Sequence, residues 1–174
     1  TYANSFVYYD NPNIYGGRYK RENFFFKVFP FKKDSLLHFE PSTLFYDGEL
    51  NSADIFPIFK AKLTIQKDLS LGFSTQTPAA GYKNYKGKGN FMGSINLSNS
   101  GLVGKGELSY MTATLGSDSI LYFPDQTNLL AKTVEMKEQK GLIEYPELSA
   151  DSALVEWRPY SDTMLLASTK NNPF

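Results

Sequence analysis

The residues best suited to chemistry are tyrosines beside small polar turns. Tyr82 and Tyr85 flank Lys83 and Lys86 in a Gly/Pro-rich stretch, and Tyr8, Tyr9 and Tyr15 sit near Asn-rich turns. Exposed aromatic rings can stack on sugar rings while Asn and Asp fix hydroxyls, so these five are the candidate ligand-binding residues. The competing expectation is that they shield strand edges. Catalytic constellations are sparse. A nucleophilic triad needs a base, almost always His. The one His, His38, lies within Leu37-His38-Phe39, and no Gly-x-Ser-x-Gly elbow accompanies it. Glu107, Asp118, Glu135 and Asp151 would meet as acid and base only if strands stacked them.

Cofactor and metal signatures are missing from the sequence. With no Cys there are no disulfides, thiol nucleophiles, zinc ribbons or iron–sulfur clusters. There is no His cluster and no Asp-x-Asp-x-Asp-Gly loop. The runs at Gly87-Lys88-Gly89 and Gly101–Gly106 lack the phosphate-loop spacing and a following helix. Neither a cofactor nor a metal is expected. Lys plus Arg equals Asp plus Glu at 18 each, which argues against nucleic acid as the main partner. No apolar stretch approaches the roughly 18 residues of a membrane helix.

The elements that must position these residues are strands. Ser, Thr and Asn total 39 and Ala only 10, and aromatics make up 16%. Period-two alternation recurs in 61–66, 69–73, 91–97, 108–115 and 153–157, separated by turn signals such as Asp47-Gly48 and Ser98-Asn99-Ser100-Gly101. Residues 127–139 admit a helix but fit a strand as well. The first 31 residues hold 11 of the 27 aromatics. They are expected to form an aromatic-rich N-terminal strand or arm, with 24–31 covered on both faces. One all-β domain or fragment, 1–174, is expected, divided into 1–31 and a repeat-like 32–174.

Self-similarity suggests how those strands stack. Asp-x-x-Leu starts at Asp34, Asp68, Asp118 and Asp151, and Gly-Lys-Gly recurs at Gly87 and Gly104, 17 residues on. Each Asp copy reads as a turn residue feeding a short strand, as in a coil of a β-solenoid. The expectation is an all-β fold, preferably a short β-solenoid of parallel β-helix type, with a two-sheet β-sandwich as the alternative.

The stretches Asp47–Pro57, Ser70–Phe73 and Gly101–Tyr110 resemble very long, uncharacterised, repetitive β-rich proteins of gram-negative gut bacteria. The similarity spans about Phe39 to Trp157, and its motifs are structural. It implies a piece of a larger envelope or secreted protein and carries over no functional residues. The first terminus, Thr1, and the turn-like Asn171–Phe174 fit the same expectation. The expected function is a non-enzymatic structural or interaction module, located in the bacterial envelope or secreted. Its partners would be neighbouring modules of the same chain or another envelope protein. A carbohydrate-binding module using the Tyr-rich loops is the alternative, and a carbohydrate-active enzyme the third.

Overall fold

The structure, a computed structural model, describes residues 2–9, 17–32, 43–137 and 148–168. It is all-β, with fourteen strands and a short 3-10 turn at Pro159–Ser161 among the described residues. The strands are β1 (Tyr2–Tyr8), β2 (Phe24–Lys32), β3 (Thr43–Ser52), β4 (Phe59–Gln66), β5 (Leu71–Gln76), β6 (Tyr82–Asn84) and β7 (Gly89–Ser98). They continue as β8 (Gly101–Tyr110), β9 (Ala113–Tyr122), β10 (Thr127–Ala131), β11 (Thr133–Met136), β12 (Leu148–Ala150), β13 (Ala153–Arg158) and β14 (Thr163–Ser168). Residues 127–131 and 133–136 are therefore strand.

One hydrogen-bonded path runs through β1-β2-β3-β4-β5-β7-β8-β9-β10-β13-β14, and every pairing is antiparallel. The short strands are halves of longer ones. β10 and β11 both pair with β9 in a single register, interrupted at Lys132. β12 and β13 keep one register against them. β5 and β6 pair with the two ends of β7. The result is an up-and-down meander curled into a half-barrel.

This corrects the expected β-solenoid, which stacks parallel strands. The four Asp-x-x-Leu copies do not occupy equivalent places. Asp68 closes the β4–β5 turn, Asp118 sits at the irregularity within β9, Asp151 lies between β12 and β13, and Asp34 is outside the described residues. Of the Gly-Lys-Gly pair, 87–89 makes a hairpin turn while 104–106 is mid-strand. The continuous path also departs from a sandwich of two separate sheets. The aromatic-rich N-terminal segment enters the sheet as its first two strands.

A single sheet with one apolar face needs something to cover that face. Here curvature and inward-turning connections supply it. Alternation places Phe26 and Val28 of β2, Leu50 of β3, Leu63 of β4, Phe91 and Ile95 of β7, Leu108 of β8, Leu115 and Tyr122 of β9, and Trp157 of β13 on the concave side, all buried. Ile55 and Phe56, from the β3–β4 connection, drop into the same core. Phe56 packs edge-on against Tyr122 at 4.9 Å. Residues 17–23 cross the opening: the Tyr19 hydroxyl donates to the Tyr122 carbonyl and accepts from the Leu102 amide, and Arg18 pairs with Asp125 at 2.6 Å.

β7 and β8 carry a glycine pair. Gly93 and Gly106 face each other across the ladder with φ of +147° and +150°. A Cβ on Gly93 would lie 2.1 Å from the Lys105 carbonyl oxygen. The strands approach too closely there for any side chain, and a bulge beside Gly106 deepens the local twist. Gly93→Ala is therefore expected to lower unfolding stability by about 2 kcal/mol or more, because backbone must shift. Gly87 has φ +88° and open space around it, so Gly87→Ala should cost only about 1 kcal/mol. Urea midpoints of the two variants check the difference.

Candidate functional site

The five tyrosines have very different surroundings. Tyr85 begins the β6–β7 hairpin turn with φ +50°. Its amide donates to the carbonyls of Asp54 and Ile55, which fixes the turn against the β3–β4 connection. The ring thereby points inward and is fully buried. Its hydroxyl donates to the Phe123 carbonyl at 2.7 Å or shares a proton with Thr127 Oγ1 at 2.6 Å. Trp157 meets the ring edge-on at 5.2 Å. Tyr85 is thus a core residue and not the exposed platform expected from its loop. Tyr9 is also buried, with its hydroxyl donating to the Ser98 carbonyl at 2.6 Å. Tyr82 is half-buried and stacked on Phe59 at 5.6 Å. Tyr15 and His38 lie outside the described residues.

Of the four described tyrosines, Tyr8 alone is exposed, at 40%. It sits on the convex face of the edge strand β1 with Phe6, whose ring is 6.4 Å away and inclined by 22°. Phe25 of β2 meets both rings edge-on. The Arg21 guanidinium lies 4.2 Å over the Tyr8 ring, a cation–π contact. These residues form an aromatic patch beside one edge of the sheet.

A second convex patch flanks the other edge. Leu121, Leu130, Leu154 and Leu165 and Ala167 come from β9, β10, β13 and β14 and border a shallow depression of about 530 Å³. Leu130, Leu154 and Leu165 are each about half exposed. Asn128 and Glu156 form its polar side, and Gln126 Nε2 donates to both, at 2.7 Å each. The sequence reading missed this patch. Its signal is the apolar doublets Ile120-Leu121, Leu129-Leu130 and Leu165-Leu166, since adjacent strand residues point to opposite faces. One member of each doublet must face outward.

The carboxylates do not converge. Register sets Glu107 opposite Met92 and Gly116, and Glu135 opposite Thr114 and Ser149. Asp118 pairs with Lys132, whose hydrogen bond and charge hold its carboxyl below the usual range. Asp151 is exposed at the junction of β12 and β13. Among the described residues no three His, Cys, Asp or Glu side chains lie close enough to hold a metal ion. Among the described residues no helix is long and apolar enough to cross a membrane. Against this geometry, no family model, curated protein or solved structure matches the chain.

The buried hydroxyls carry a pH signature. Burial pushes both Tyr85 and Tyr122 well above the ordinary tyrosine value of 10.0. The folded state holds these protons while the unfolded chain releases them. Their stabilising effect is therefore complete below about pH 10 and is lost as pH rises beyond it. Tyr85→Phe is expected to cost about 1–3 kcal/mol at neutral pH, by removing the buried hydrogen bonds of its hydroxyl with the Phe123 carbonyl and Thr127 Oγ1. It should also flatten the alkaline loss. Urea unfolding near neutrality and at about pH 11, where free tyrosine is ionised, checks both effects.

Proposed function

We propose that this chain is a non-enzymatic interaction module of a larger bacterial envelope or secreted protein. It abuts neighbouring modules of that protein through its sheet edges and the apolar convex face beside them. The observation that carries this reading is β14. Among the described residues it pairs only with β13, and Thr163–Ser168 contains no charge and no proline. Edge strands that stay in water are usually blunted by Lys, Pro or a bulge. An uncharged edge beside half-exposed leucines is suited to strand addition. The opposite edge, β1, pairs only with β2 among the described residues and carries the Phe6–Tyr8 patch. The central convex face, by contrast, carries the exposed charges Asp47, Lys62, Lys105 and Glu107, which stand among the single exposed apolar side chains Phe45 and Met92. The envelope or secreted location rests on the resemblance to long β-rich proteins of gram-negative gut bacteria.

Carbohydrate recognition is the second reading, and the paired rings of Phe6 and Tyr8 favour it over the Tyr82–Tyr85 loop. A glycan-array signal abolished by Tyr8→Ala would support it, and a blank array would remove it.

Amide hydrogen exchange on the isolated chain and on a longer product of the same gene tests the module reading. The outward amides of β14 should exchange freely in the former and be protected at least about tenfold in the latter, the signature of newly made ladder bonds. Equal exchange in both contradicts the reading. Leu154→Lys should change the stability of the isolated chain by no more than about 0.5 kcal/mol, yet abolish that protection.

A further inference from the structure

Among the described residues the buried polar side chains are Ser52, Asn84, Ser117 and Thr127. Three of them are satisfied within the protein. Ser52 Oγ accepts from the Phe56 amide, Ser117 Oγ donates to the Leu130 carbonyl, and Thr127 Oγ1 shares a proton with the Tyr85 hydroxyl. Asn84 is the exception. Its side chain is fully buried, and neither amide atom has a hydrogen-bond partner in the protein. The Tyr122 hydroxyl and Trp157 Nε1, also fully buried, share that condition. A buried polar group left unpaired costs stability, so each of these calls for a partner.

Asn84 closes β6 and opens the turn that carries Tyr85, its carbonyl accepting from the Gly87 amide at 3.2 Å. An Asn at the start of a turn commonly folds its side chain back onto the backbone two residues on. Asn84 instead sends its amide into the core. There Asn84 Oδ1 and Trp157 Cη2 both stand 2.6 Å from the place that a Cβ on Gly89 would take, so the amide lies beside the indole ring. Burial raises the Tyr122 hydroxyl pKa, and the Asn84 side chain is near enough to work against that rise. Amide and phenol therefore face each other, yet no direct hydrogen bond of ordinary geometry joins them.

We propose that Asn84 and Tyr122 form an internal hydration site, in which one bound water molecule joins the amide to the phenol. Water both donates and accepts, and so fits a set that mixes donors (Asn84 Nδ2 and the phenol) with an acceptor (Asn84 Oδ1). Two facing side chains supply the roughly two to four polar partners that an internal water needs. Asn84, Tyr122 and Trp157 are all neutral, so the set offers nothing to balance a buried ion. Binding is by hydrogen bonds alone. The water ties the β6–β7 hairpin, and with it the turn that carries Tyr85, to β9 through a polar link inside an otherwise aromatic core.

The test is oxygen-17 relaxation dispersion of the solvent, which counts water molecules held for longer than the protein takes to tumble. The chain should hold one such water more than the double variant Asn84→Leu/Tyr122→Phe, in which both polar side chains are replaced by apolar ones of similar size. Unchanged Trp157 emission reports that the variant keeps its core. Tyr122→Phe alone retains the ring and removes only the hydroxyl, which keeps the test open should the double variant fail to fold. It should reduce the dispersion amplitude and lower the urea midpoint, because the water and the protein each lose a partner. Removing a hydroxyl that had no partner at all would leave the midpoint unchanged or raise it. The proposal is overturned if the chain and the double variant hold the same number of long-lived waters, the result of a dry core or of a direct Asn84–Tyr122 bond. It is overturned as well if Tyr122→Phe leaves either the amplitude or the midpoint undiminished.

Discussion

Everything in this fold follows from one constraint: a single antiparallel sheet has an apolar face and, among the described residues, no second layer to cover it. The meander solves this by curling and by turning its own connections inward. Ile55 and Phe56 come from one connection and Tyr85 from another, while Tyr19 crosses from the segment before β2. Large rings suit the task because each buries about 150–250 Å², and edge-on contacts such as Phe56–Tyr122 and Tyr85–Trp157 let them interlock. The 16% aromatic content is thereby explained as core material before it is a sign of binding.

The same solution directs function to the surface. A half-barrel resembles a ligand cup in outline, but its concave side is occupied by Phe91, Tyr122, Tyr85 and Trp157. What remains available is the convex face, the two sheet edges and the strand ends. The convex face has clustered apolar patches beside the edges and charges such as Lys62, Lys105 and Glu107 between them, with Phe45 and Met92 exposed singly.

Much of the strand content was legible from alternation. Residues 61–66, 91–97, 108–115 and 153–157 all fall within strands except at the turn residues 111 and 112. Strand order was not legible. An Asp followed by Leu and an aromatic marks where a chain enters a strand, but it says nothing about which neighbour that strand will pair with. Asp68 at a turn and Asp118 within β9 satisfy the same local pattern in different surroundings. The solenoid expectation failed for that reason. Tyr85 shows the matching limit for the site. Its loop has the Gly and Lys content of an exposed turn, yet the +50° backbone angle and the hydrogen bonds its amide donates to the Asp54 and Ile55 carbonyls aim the ring inward. Leu130 and Leu165 could have been found from their doublets, because strand geometry alone requires one of each pair to face out.

The central claim, that the concave face is a filled core and not an open groove, is most directly tested through Trp157. It is the only tryptophan in the chain and is fully buried between Tyr85 and Tyr110. The measurement is its fluorescence, with acrylamide as quencher. The account predicts emission well to the blue of free tryptophan and quenching far weaker than in the urea-unfolded chain. Emission and quenching equal to those of the unfolded chain would mean that water reaches the concave face, and would contradict it.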